Sequence, residues 1–294
     1  MKVGLLDSFG ARAVPYWEAF LRALELEVVR PALSAEEAYA IGRDSLPDEP
    51  PHVQLALGRV LELARTDAVV LPGFAGVHGD PWGEDFADVL TRRVSVLPPL
   101  VTTPAPGTDL APVAADIGQR LTRNAGRVRL ALDRAKLYAG TGRGAMPPLT
   151  AASRATVAVI GPDALLADPF LSGPLRARLQ DLGLHGVFAS DLPRDQVVAR
   201  AARFEARSAG EAELQGALGL LEGKSPVRGV VFVAPARDAA TRTYLKGLAD
   251  RVRKPTLLLD LDPDDQGTLA PLDGFAGRVQ VGASTRDVHP EDDA

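Results

Sequence analysis

Apolar residues along this chain fall into two rhythms that alternate from end to end. Short β-branched runs, of the kind buried on both faces of a parallel sheet, separate stretches whose apolar positions recur every three or four residues. KVGLL (2–6) reads as a strand and AVPYWEAFLRALEL (13–26) as a helix, with Trp17, Phe20, Leu21 and Leu24 forming one stripe. EVV (27–29) follows as a second strand. SAEEAYAIG then predicts a helix with a capping box, Ser34 at the N-cap and Glu37 three residues on. DEPPHVQLALGRV (48–60) opens the next helix, because prolines and acids both suit a first helical turn, and that helix runs to near Thr66. DAVVLPG (67–73) is a third strand. WGEDFADVLTRR predicts a helix, and VSVLPPLVTT an extended segment whose prolines weaken its regularity.

The second half repeats the succession. TVAVIG (156–161), HGVFAS (185–190), RGVVFVAP (228–235) and TLLLDLD (256–262) read as strands. Helical patterns lie between them in PFLSGPLRARLQDLG, near residues 194–204, in GEAELQGALGLLEG (210–223) and in DAATRTYLKGLADRV; a last short helix covers LDGFAGRV. Two passes of β-α-β-α-α-β-α-β at similar spacing are what an internal structural repeat would give. The expected fold is α/β, with two Rossmann-like doubly wound domains and parallel sheets, to which the family resemblance described below adds an interdomain cleft. The expected divisions are an N-terminal domain over 1–106, a helical connector over 107–150 ending in the Gly/Pro-rich TGRGAMPP, a C-terminal domain over 151–281, and a polar, acidic, frayed tail over 282–294.

Composition narrows the chemistry. A formal net charge of −5 on 294 residues offers no basic field, so neither nucleic acid nor an anionic membrane is an expected partner. No apolar window is long enough to span a bilayer and the N-terminus lacks a signal-peptide pattern, so a cytoplasmic location is expected. With no cysteine there is no disulfide, thiol nucleophile, thiolate zinc site or cysteine-ligated iron–sulfur cluster.

Several motifs nonetheless resemble those of one family. P-x-W-x-x-F-x-x-x-L-x-x-E-V-V from Pro15, GPDALLADPFL (161–171), GEAELQGALGLL with RGVVFV, and KPTLLLDLD followed by LDGF resemble, in order, segments of the D component of 2-hydroxyacyl-CoA dehydratases and of the related benzoyl-CoA reductase and activase-associated proteins. The resemblance implies two α/β domains facing a cleft. In active relatives, that cleft holds a cysteine-bound iron–sulfur cluster beside an acyl-CoA thioester. Here the family's C-F-P-x-K-x-x-x-G falls on PPHVQLALG (50–58), with Pro50 at the cysteine and Gln54 at the lysine. A C-P pair falls on Leu97–Pro98, and an F-G-C-G-P-D-S loop on APARDAA (234–240), with Asp238 at the third cysteine. Neither Pro nor Leu ligates iron and a lone carboxylate is a poor substitute for soft thiolates, so no [4Fe-4S] cluster, and no other cofactor, is expected.

The remaining candidates lie where doubly wound sheets bind ligands, just beyond the strand ends. Asp7 and Ser8 follow the first strand and suit either an anion contact or a capping turn. His52 and Gln54 stand where a helix N-terminus would face a ligand. In the glycine-rich GFAGVHGDPWGED (73–85), His78 and Asp80 are the catalytic candidates, as an orienting pair for acid–base work. Arg237 and Asp238 open a helix and would cradle a phosphate or carboxylate, or form a salt bridge. DLDPDD (260–265) lacks the regular spacing of a cation loop, and no metal site is assigned. Neither a G-x-S-x-G elbow, H-E-x-x-H nor a dinucleotide fingerprint occurs. Three functional readings follow. The first is a cluster-free, catalytically degenerate homologue binding a small molecule, such as an acyl-CoA or another anion, or a partner. The second is an enzyme reusing the cleft on a small anionic substrate. The third is a non-catalytic subunit of a homo- or hetero-oligomer.

Overall fold

In the computed structural model, which describes residues 1–9, 13–104, 109–139, 144–151 and 154–284, the β-branched runs pair into two four-stranded sheets, all parallel. The first contains β1 (Lys2–Leu5), β2 (Glu27–Val29), β3 (Ala68–Leu71) and β4 (Leu100–Thr102), ordered β2-β1-β3-β4. The second contains β5 (Ala155–Ile160), β6 (Leu184–Phe188), β7 (Val227–Pro235) and β8 (Thr256–Leu261), ordered β6-β5-β7-β8. Each sheet winds outward in both directions from its first strand, as in two Rossmann-like units.

The first half carries α1 (Val14–Ala23), α2 (Ala35–Ser45), α3 (Pro51–Glu62), α4 (Pro81–Glu84) and α5 (Phe86–Arg93). Next come α6 (Leu110–Thr122) and α7 (Ala125–Ala135). The second half carries α8 (Asp163–Leu166), α9 (Pro169–Asp181), α10 (Arg194–Ala201), α11 (Ala209–Leu221), α12 (Ala239–Ala249) and α13 (Pro271–Ser284). The capping box is present, Ser34 Oγ accepting from Glu37 N–H while the Glu37 carboxylate accepts from Ser34 N–H.

Four apolar clusters cover the four sheet faces. Trp17, Phe20, Leu21 and Leu24 fill the α1 side of the first sheet together with Ile117 of α6 and Val128 of α7, so the two connector helices pack onto the first half. Val53, Ala56, Leu57 and Val60 of α3 cover its other face. Leu55 of α3, with Ala38 and Tyr39 of α2, instead joins the α9–α13 face of the second sheet. The α2–α3 pair therefore belongs to both halves, and α3 is buried from Pro51 to Gly58 and again at Val60. Two glycines permit that closeness: a Cβ at Gly42 would overlap the Gln54 carbonyl, and one at Gly58 the Ala38 carbonyl.

Four details differ from the expectation. The helix over WGEDFADVLTRR breaks at Asp85, whose carboxylate caps a new helix by accepting from Asp88 N–H at 3.1 Å. Only Leu100–Thr102 of VSVLPPLVTT pairs, since Pro98 and Pro99 lack the N–H that a ladder needs. GPDALL contains a short helix, α8. The last helix continues to Ser284, past the boundary expected at 281. The boundary expected at 106, the first residues of TGRGAMPP and the tail from residue 285 lie outside the described residues.

Candidate functional site

The winding reverses between β1 and β3 in one half and between β5 and β7 in the other, so the loops after those strands define the place to look. They meet. Phe74, Gly76 and Val77 after β3 line, with Pro162 after β5 and with Gly210 and Thr241, a cavity of only 10 Å³. Phe9 after β1 and Arg237 after β7 both hold left-handed backbone, φ 65° and 64°, a strained state for residues with side chains.

One side of this junction is a chain of matched charges. Arg59 of α3 donates to Ser8 Oγ at 3.0 Å and to Asp168 Oδ2 at 3.3 Å, and lies 3.4 Å from Asp7 Oδ1. Arg30 closes the chain, reaching Asp7 at 3.0 Å and Glu18 at 3.1 Å. Asp7 and Ser8 are thus brought together, but by arginines of their own half. Asp168 joins from the second half while its other oxygen caps α9 at Phe170 N–H, 2.9 Å. Nearby, Arg237 donates to Glu49 O at 2.9 Å and to Asp262 at 2.8 Å, while Tyr39 and Arg43 hold Asp264. Asp260 pairs with Arg242 and Asp265 caps a turn at Gly267 N–H, so all four carboxylates of DLDPDD have structural partners.

Asp80 and Asp238 sit in different company. Asp80 is 3 % exposed and caps α4, Oδ1 accepting from Trp82 N–H at 3.0 Å. Burial first, and then the charge of Asp238, push its carboxyl up to about 6, against the pull of the Gly83 and Trp82 N–H groups. Asp238 caps α12, accepting from Thr241 N–H at 2.9 Å, and burial raises its pKa despite the Thr241 and Ala240 donors. His78 lies apart from Asp80: its exposed imidazole stands 3.6 Å from Glu84.

His52 lies inside the first half's core between Phe9 and Phe74, ring centroids at 6.4 and 5.2 Å, with neither ring nitrogen hydrogen-bonded. Burial pushes its pKa down to about 3, so the ring is neutral at ordinary pH. Gln54, also fully buried, donates to Leu46 O and Pro47 O and so ties down the α2–α3 turn.

Beside the closed junction runs an open groove of about 640 Å³, between the His78 loop and the α11–α12 pair. Arg207, Glu211, Gln215, Tyr244 and Arg251 line it, residues that sequence reasoning missed. Gln215 donates to Tyr244 Oη at 2.7 Å, and burial raises the Tyr244 pKa, with Arg251 and Arg207 offsetting part of that rise. Arg59 was missed too. Its signal was a lone arginine inside the apolar LALGRVLELA, a position 14 % exposed.

The residues do not fit an iron–sulfur cluster. Pro50 is the buried N-cap of α3, Leu97 lies half-buried in a loop, and the Asp238 carboxylate is committed to α12. Among the described residues, no three His, Cys, Asp or Glu side chains gather to hold a metal ion, and no helix is long and apolar enough to cross a membrane. No protein-family model matches the chain, and no curated protein is significantly similar to it.

Proposed function

We propose that this is a cluster-free relative of the 2-hydroxyacyl-CoA dehydratase D component, working in the cytoplasm, that binds a small anionic molecule in the groove between the His78 loop and α11–α12. The observation that carries this reading is the groove itself. At about 640 Å³ it suits a small molecule; Arg251 supplies a cationic group at its wall and His78 a hydrogen-bonding one, while Arg207 is paired with Glu211. The shared strand order supports treating 1–106 and 151–281 as copies of one unit, as the family resemblance implies. The loops carrying Pro50 and Asp238 also approach each other, through Arg237 and Glu49 O, which accords with both having descended from a common cluster site. Asp80, with its carboxyl raised to about 6, favours a second reading, an enzyme using the junction for acid–base chemistry. Exposed Leu130 and Leu137 on one face of α7 and the turn after it favour a third, a subunit with a partner on that face.

Thermal-shift measurements with acyl-CoA thioesters, nucleotides and dicarboxylates test the first reading, because a ligand bound only to the native state raises Tm. One class should raise Tm in the natural protein and lose the effect in Arg251→Ala. An equal shift in that variant, or none with any of the three classes, sinks the groove as the site. Anaerobic reconstitution with iron and sulfide should yield no stoichiometric cluster absorbance.

A further inference from the structure

The amino end of the second sheet, where β5 and β7 begin, holds a separate depression of about 410 Å³. Arg154 and Arg228 line it, with Thr150, Thr156, Gly183 and Gln280, and it shares no described lining residue with the groove. The ladder explains how the two arginines come together. Thr156 pairs with Val227 and Val157 with Gly229, so Arg228 is an extra residue that β5 does not match. Successive strand residues alternate faces, and without that bulge Arg228 would take the side opposite Thr156. With it, Arg228 and Thr156 border the same depression, beside Arg154 at the entry to β5. Bulges between parallel strands are rare, and re-aiming one side chain is a recognised use of them.

Elsewhere on this acidic chain, enclosed arginines meet carboxylates: Arg59 has Asp168, Arg194 has Glu213 and Arg237 has Asp262. Among the described residues, neither Arg154 nor Arg228 is paired with one. A third cation stands close by. Lys254 Nζ donates to Lys224 O at 2.7 Å and to Val227 O at 2.6 Å, the latter carbonyl belonging to the residue before Arg228. Burial lowers the Lys254 pKa, Glu222 counters that, and the Arg228 charge adds to the lowering. Like charges gathered in this way repel, and an anion bound among them relieves the repulsion.

The donors also select the anion. A carboxylate offers two oxygens, which one guanidinium fork occupies; a phosphate dianion offers three, enough to be shared between two forks. We propose that Arg154 and Arg228 form a phosphate-binding site at the amino end of the second sheet, taking inorganic phosphate or the phosphate group of a small ester.

Isothermal titration calorimetry at constant ionic strength tests the site, in an Arg251→Ala background that removes a cation of the groove. Inorganic phosphate should give a saturable heat there. Adding Arg154→Ala should weaken binding about tenfold or more, the usual consequence of losing a hydrogen bond to a charged group. Arg228→Ala should do the same. Arg154 is exposed and lies outside the strand, so its variant decides the matter if Arg228→Ala folds poorly. Ribose 5-phosphate distinguishes the two sources: tighter binding than that of phosphate marks an ester as the ligand, and equal or weaker binding marks the free ion. An absence of saturable heat, phosphate binding unchanged by either arginine substitution, or succinate bound as tightly as phosphate overturns the site.

Discussion

Where Arg59 crosses from the first half to the second, each charge meets its opposite; where Gly76 meets Ser208 and Gly210, the halves join through backbone beside a buried Asp80 whose Oδ2 has no hydrogen-bond partner. Arg59 and Asp168, 14 % and 10 % exposed, share a charge-assisted hydrogen bond of 3.3 Å. Burial instead raises the carboxyls of Asp80 and Asp238 above their ordinary range. One edge is therefore a fixed fastening by charge, and the other a close backbone contact beside a carboxylate that burial disfavours.

The strongest way to break this contrast is to force the backbone edge open by sterics. Gly210→Ala places a Cβ on the Gly76 carbonyl, backbone that no rotamer change can move. We expect a loss of about 3 kcal/mol or more, measured by denaturant unfolding. An unfolding midpoint unchanged from that of the natural protein would show that the two halves are not in backbone contact here.

Removing the charge from the fixed fastening is next in size. Asp168→Asn keeps the cap on α9 but leaves Arg59 with only Ser8 and Asp7. Deleting one partner of a buried pair costs about 3–5 kcal/mol when nothing replaces it, and the two remaining contacts bring the expectation down to about 1–2 kcal/mol. Asp168→Ala should cost about 1 kcal/mol more through the lost cap. An Asp168→Asn variant as stable as the natural protein would mean that Arg59 draws nothing from the second half.

How much of this contrast was legible in the sequence follows from range. The capping box at Ser34 and Glu37, the stripe of Trp17, Phe20, Leu21 and Leu24, and the strand at Glu27–Val29 depend on neighbours within a few residues, and they stand as read. The helix starting at Pro51 was equally plain, but its burial on all sides was not, because half of its cover comes from the second sheet. His52 sits in the first half's own core, between Phe9 and Phe74, rather than at an opening. Arg59 and Asp168 are 109 residues apart, and no local pattern couples them. Asp80 and Asp238 were each visible as candidates, one beside His78 and the other beside Arg237. Their burial depends on long-range packing that no local pattern shows.

The smallest effect sharpens the comparison most finely, because it asks whether charge matching matters at all once water is present. Arg43 and Asp264 also link the two halves, at 2.9 Å, yet their side chains are 43 % and 45 % exposed. Water and salt screen such a pair, and holding two mobile side chains in register costs entropy. Arg43→Ala should therefore lower stability less than any of the variants above, and by less still in concentrated salt. Tyr39, whose hydroxyl donates to the same carboxylate at 3.0 Å, keeps Asp264 partnered in that variant. A loss as large as that of Asp168→Asn would mean that charge matching alone governs the interface. The expected small loss would place the difference between the two edges in burial, which makes the Arg59 pair strong and the lone Asp80 carboxylate costly for the same physical reason.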